Sequence, residues 1–239
     1  MCSITVLAAG SLRVVWPRLM TAFERESGIS VTTDFGPAGL LLQRIEQGEA
    51  CDLFASANSA HPQTLVEKGQ AIHTALFTHN QLCLSVTATL AALGRNWLDL
   101  LRDPHLRLAT STPLSDPSGD YTWQLFDRID ATHPGEGTAL KQRAMSLVGG
   151  PQSTAIPAGE LAASWLLNTK QAEMFIGYQS YAPLLKEKGN VVTLSIPAPW
   201  QITADYGFAV CQERAQPLAA FLLSARAQQI FKDAGFCSE

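Results

Sequence analysis

Apolar residues mark the opening of the chain clearly. Ser3-Ile4-Thr5-Val6-Leu7-Ala8-Ala9 alternates weakly and stops at Gly10-Ser11, a strand running into a turn. Leu12, Trp16, Leu19, Met20 and Phe23 then recur at helical spacing and form one apolar stripe. Ser11 reads as the N-cap of that helix, and Gly28 sits where a C′ glycine belongs. Pro17, inside the stripe, either kinks the helix or marks its true first turn. Ile29 to Phe35 is the next predicted strand, Gly36-Pro37-Ala38-Gly39 a turn, Leu40 to Gly48 a second helix and Asp52 to Ala57 a third strand. Strands alternating with helices predict an α/β fold with parallel strands.

A second series follows. Around Leu76 to Val86 a longer strand-like run, Leu82-Cys83-Leu84-Ser85-Val86, follows a His/Thr/Asn stretch; Leu106 to Thr110 is a strand, Ser111 to Gly119 a loop, and a helix starts at about Tyr121. Further on, the pattern predicts a helix through Trp165-Leu166-Leu167, strands over Glu173 to Tyr178 and Asp205 to Val210, and one amphipathic helix from Pro217 to Gly235. Two α/β lobes, with the chain crossing between them more than once, fit this order: residues 1–82 plus 199–239 in one lobe, 83–198 in the other. Such lobes place a ligand in a cleft at the carboxyl ends of their strands.

Composition narrows the classes. The 239 residues are 46% hydrophobic and 16% charged, with a formal net charge of −4, as in a compact globular protein. Without a basic run, nucleic acid is not expected as a partner. No apolar window approaches the ~18 residues of a membrane span. Met1 to Ala8 does not read as a charged segment followed by an apolar one, so either there is no export signal or the chain begins after it. Met1-Cys2 leaves two readings open: the lipid-bearing cysteine of a mature lipoprotein, or an ordinary early cysteine. Cys2, Cys51, Cys83, Cys211 and Cys237 are odd in number and scattered, with no C-x-x-C or Cys/His pair, so neither a zinc site nor a redox dithiol is expected, and they read mostly as small buried hydrophobes.

Three strand-to-helix loops share one chemistry: Ala9-Gly10-Ser11-Leu12, Gly36-Pro37-Ala38-Gly39 and Asp116-Pro117-Ser118-Gly119. Each puts small residues, hence exposed amides, at a helix start, where the dipole and unpaired N–H groups receive an anion. Ser11 and Ser118 each offer a hydroxyl as well; Tyr178 ends a strand, where it either points its hydroxyl into a cleft or sits at the edge of the core. Ser and Gly at helix starts are also ordinary caps. Enzyme signatures are thin. His61, His73, His79, His105 and His133 lack metal-ligand spacing, and no nucleophile stands beside a base. No free metal cation, cofactor or catalytic residue is expected.

The order of motifs resembles the molybdate- and tungstate-binding periplasmic substrate-binding proteins of ABC importers. The similarity rests on Ile4 to Leu12, Phe23 to Ile29, Arg44 to Gly48, Ala50 to Ala57, and the closing Ala227 to Phe236. It implies a two-lobed protein that closes on a tetrahedral oxyanion held by neutral donors and delivers it to a membrane permease. The family's first serine matches Ser11; its second falls on Ala38, where only the backbone N–H remains. Its Pro-Ala-Gly contact falls on Pro117-Ser118-Gly119, where Ser118 supplies a replacement hydroxyl, and its tyrosine donor matches Tyr178.

The family's last contact falls near Glu160, and a carboxylate beside a dianion is repulsive. An archaeal branch of the family uses an Asp-Pro-Cys-Gly-Tyr-like loop and a later Glu to coordinate the metal centre of the oxyanion directly. Asp116 and Glu160 look similar to that pair. The alternative is that Glu160 caps its own helix and faces water. The resemblance thus implies a monomer, periplasmic or exported and lipid-anchored, whose partners are a small oxyanion and an ABC permease. The other reading is a sensor protein of the same fold, taking another small anion or a cationic ligand and signalling to a membrane partner.

Overall fold

The computed structural model describes residues 3–237; Cys2, and with it the lipid-anchor reading, lies outside them. The chain divides into two compact units, one made of residues up to Asn80 and from Ala204 onward, the other of Gln81–Thr203. Its strands are β1 (Ile4–Ala9), β2 (Val31–Gly36), β3 (Leu53–Ser56), β4 (His73–Thr87), β5 (Leu108–Ser111), β6 (Met145–Val148), β7 (Met174–Tyr178), β8 (Val191–Ser195) and β9 (Thr203–Val210).

In the first unit, β1 lies between β2 and β3, parallel to both. Val6 and Ala8 of β1 are fully buried, as are Leu53, Phe54 and Ala55 of β3, so the central strand and its neighbour read as near-continuous apolar runs. The helix Trp16–Ser27 buries Trp16, Leu19 and Phe23, residues of the predicted stripe; the Trp16 indole donates to Thr33 of β2 at 2.9 Å, and the Phe23 ring packs on Phe221 at 5.6 Å. The helix begins at Trp16, not Leu12, with Pro17 in its first turn, where a missing N–H costs nothing. Ser11 is therefore not its N-cap: residues Gly10–Leu12 form a separate 3-10 turn. Gly28 closes the helix in the left-handed conformation, φ 71°, as its position suggests.

The return strand β9 runs antiparallel to β3. It carries Tyr206 and Phe208 into an aromatic cluster with Phe77, Phe231 and Phe236, whose centroids lie 5.5–6.2 Å apart. The predicted last helix is two, Gln216–Leu222 and Ala225–Asp233. Ser224 starts the second by accepting from the Ala227 amide.

In the second unit, β5 pairs in parallel with β6 and β7, while β4 pairs antiparallel with β7 and β8. The sheets are therefore mixed, not wholly parallel. Alternation of strands and helices signals the crossovers, but not a strand that joins from a distant part of the sequence. Helices Pro117–Thr132 and Ala162–Asn168 pack on this sheet, burying Leu125, Phe126 and Ile129 from the first and Leu166 and Leu167 from the second. Among the described residues, no helix is long and apolar enough to cross a membrane.

Candidate functional site

Parallel strands deliver the loops after their carboxyl ends to the same edge of a sheet. In the first unit Ala9 is in register with Gly36, so the loops after β1 and β2 emerge side by side. A Cβ placed on Gly10 would stand 3.8 Å from the Gly36 carbonyl oxygen. The first loop holds Ser11. Its Oγ accepts a hydrogen bond from the Tyr206 hydroxyl at 2.8 Å, so the serine's own proton is left to point elsewhere. The second loop leads into the helix Ala38–Glu46, which Pro37 starts without a side-chain cap. The first-turn amides of a helix have no partner inside it. Ala38 is buried and offers only such an amide.

The loop after β3 joins the same edge, since β3 is parallel to β1. Ser56 Oγ lies 3.0 Å from His61 Nδ1 and accepts from the Asn58 amide. Burial pulls the His61 pKa down, which keeps the ring neutral. The sequence treats His61 as one more loop histidine. Its link to Ser56 is local enough to be suspected, whereas that of Tyr206 to Ser11 spans the chain.

In the second unit the loops after β5, β6 and β7 share an edge. The helix Pro117–Thr132 starts under a side-chain cap: Asp116 Oδ1 accepts from the Ser118 amide at 3.2 Å. Ser118 is buried, 4% exposed, and its carbonyl receives the Thr122 hydroxyl. Gly149 closes over this cap. Its φ of 74° suits glycine, and a Cβ there would meet Asp116 Oδ2 at 2.5 Å. Thr112 ties the two loops together, donating through both its amide and its hydroxyl to the Val148 carbonyl at 2.9 Å. Burial raises the Asp116 carboxyl to about 6, against the hydrogen bonds from Ser118 and Ser111, and the Asp120 charge adds to the rise. Asp120 accepts from the Leu114 amide.

Tyr178 ends β7 as a buried residue, paired in register with Leu82. Directly after it, the Gln179 Oε1 is a buried acceptor without a protein partner. Glu160 stands apart. It lies in a turn closed by its amide on the Pro157 carbonyl, before the helix Ala162–Asn168, so it does not cap that helix from within. Its Oε2 meets Lys188 Nζ at 2.8 Å, both side chains a third or more exposed, and its partner is thus Lys188 rather than Asp116. Ser11 and Ala38 are brought to adjoining loops of the first unit, and Asp116 and Ser118 to one cap of the second. Among the described residues, no group of three or more His, Cys, Asp or Glu gathers to hold a metal ion.

What this arrangement offers is hydrogen-bond donors, first-turn or loop amides and hydroxyls, with the Arg13 guanidinium close by, 5.3 Å over the Phe35 ring. The chain is similar to known proteins over nearly its whole length. The chain is 43% identical, over 97% of both chains, to an uncharacterized protein of Pasteurella multocida. It is 29% identical to the molybdate-binding protein ModA of Escherichia coli K12, covering 98% of this chain and 88% of that one. In fold it is similar to the sulfate-binding protein SubI of Mycobacterium tuberculosis, with a TM-score of 0.78 at 20% identity over 99% of this chain and 86% of the other. The family model for bacterial extracellular solute-binding proteins matches residues 4–237, and the chain belongs to that family.

Proposed function

We propose that this protein captures a tetrahedral oxyanion, molybdate or tungstate, and hands it to the membrane permease of an ABC importer, with no cofactor and no chemistry of its own. The observation that carries the reading is the pair of adjoining loops at Ser11 and Ala38. There, a hydroxyl already accepting from Tyr206 stands beside a helix start whose amides lack a side-chain cap. Such donors satisfy a doubly charged anion through hydrogen bonds to its oxygens. Ser118 and Tyr178 are the donors we assign in the second unit. The relative named for molybdate supports the choice of ligand. Sulfate has the same charge and shape, so discrimination falls to size.

Glu160 bears on how the anion is held. An ion pair with Lys188 favours a hydrogen-bonded oxyanion over one coordinated by Asp116 and Glu160 through its metal centre. We place the protein outside the cytoplasm, as a monomer. A thermal-shift series on ligand-stripped protein tests the reading, because a ligand that binds only the folded chain raises its midpoint by mass action. Molybdate or tungstate should raise it well above any effect of sulfate or phosphate. No shift with any oxyanion would contradict the reading.

A further inference from the structure

Cys51 and Cys211 stand 160 positions apart in sequence, yet their sulfurs lie 3.7 Å from each other. The ladder between β3 and β9 explains how. Leu53 faces Val210, so continued regular pairing would set Asp52 opposite Cys211 and put Cys51 on the other face. Instead the Asp52 carbonyl accepts from two consecutive amides, Cys211 at 2.8 Å and Gln212 at 3.2 Å. Two residues against one is a bulge, and it turns the Cys211 side chain toward Cys51. Both line a surface hollow of about 410 Å³ beside Glu49, Gln70 and Gln212. Cys51 is buried and Cys211 half-buried. An oxidant can therefore approach Cys211 from the hollow.

We infer that Cys51 and Cys211 are a redox pair that closes into a disulfide, stapling the start of β3 to the end of β9. From 3.7 Å, small side-chain torsions bring the sulfurs to the ~2.0 Å of an S–S bond. The reagent is an oxidised dithiol carrier. Cys211 loses its proton and its thiolate attacks one carrier sulfur, breaking the carrier's S–S bond and releasing one carrier thiolate. Cys51 then loses its proton, attacks Cys211 Sγ and displaces the second carrier thiolate. The carrier leaves as a dithiol with both electrons and, after protonation, two protons. The Cys51 thiol donates to the Cys211 sulfur, which lowers the Cys211 pKa and makes it the first nucleophile. Hydrogen bonding and burial raise Cys51, the resolving thiol. Cys83, buried within β4, has no such neighbour. Membership of an extracellular family places the pair in the compartments where structural disulfides persist.

The test uses the whole chain, reduced, desalted and exposed to glutathione disulfide, followed by thiol titration and non-reducing peptide mapping. Two of the five thiols should disappear, and the peptides containing Cys51 and Cys211 should be linked to each other. The oxidised protein should melt roughly 5–15 °C higher, reversibly with dithiothreitol. In Cys51→Ala, glutathione should remain on Cys211 as a mixed disulfide, and the midpoint should not rise. If that variant fails to fold, the wild-type peptide map decides alone. All five thiols still titratable, a link between other cysteines, or a closed pair with an unchanged midpoint would each overturn the inference.

Discussion

Tyr206 donates its hydroxyl proton to Ser11 Oγ across 2.8 Å, joining the last strand of the chain to the loop after the first. The tyrosine is fully buried, its ring held edge-on against Phe77 and Phe236. A serine oxygen that already accepts one strong hydrogen bond is fixed in place, and its proton is directed to a different acceptor. Tyr206→Phe keeps the ring and removes the donor. Molybdate affinity should fall by about 0.5–1.5 kcal/mol, the scale of one neutral hydrogen bond. Calorimetric titration would show it, and an affinity equal to wild type would remove Tyr206 from the support of the site.

The Gly149 backbone lies against Asp116 so closely that a side chain has no room. Gly149→Ala meets both a φ of 74° and the carboxylate, and should cost about 1–3 kcal/mol in urea unfolding. A neutral outcome would mean that the cap at Asp116 is loose.

Asp116 makes stability depend on pH. Its folded-state value of about 6 lies above the reference 3.8. The contribution is therefore complete below about pH 3.8 and is lost as pH rises through 6. Asparagine caps equally well and carries no charge. Asp116→Asn should be more stable than wild type at pH 7.5, by at most about 3 kcal/mol, and the gap should close toward pH 4. Denaturant midpoints at both pH values would check this; a gap independent of pH would show that the carboxylate is not strained by burial.

Glu160→Gln separates two ways of holding the anion. If Glu160 only pairs with Lys188, the variant should bind molybdate as well as wild type or better, and lose less than about 1 kcal/mol of stability, as exposed ion pairs do. A collapse of affinity would return Glu160 to the anion as a direct ligand.

In the first 57 residues β1 and β3 were legible as buried, largely apolar runs, and β2, half exposed at the edge of the sheet, from its position between two helical stretches. Elsewhere the signal weakened for physical reasons. The first part of β4 carries His73, Thr74, Thr78, His79 and Asn80, polar residues of which Thr78 and Asn80 are buried and His79 pairs with Asp205, 126 positions away. The short strands β6 and β8 are only partly buried and carried no clear pattern. Of the two readings open at Pro17, a kink or the true first turn, the structure has the second, whereas the capping preference of Ser11 pointed to a helix start that is not there. The loops at Ala38 and Ser118 were visible from small residues before helices. Tyr206 and the Cys51–Cys211 contact were not, since nothing local distinguishes residues whose partners lie more than 150 positions away.

The most direct test of the central claim is calorimetric titration of molybdate into ligand-stripped wild-type protein and Ser11→Ala. Wild type should bind one equivalent saturably, and the variant more weakly by about 1–3 kcal/mol, the loss expected for a hydrogen bond to a charged group. Absence of saturable binding by the wild type, or equal affinity in the two proteins, would contradict the account.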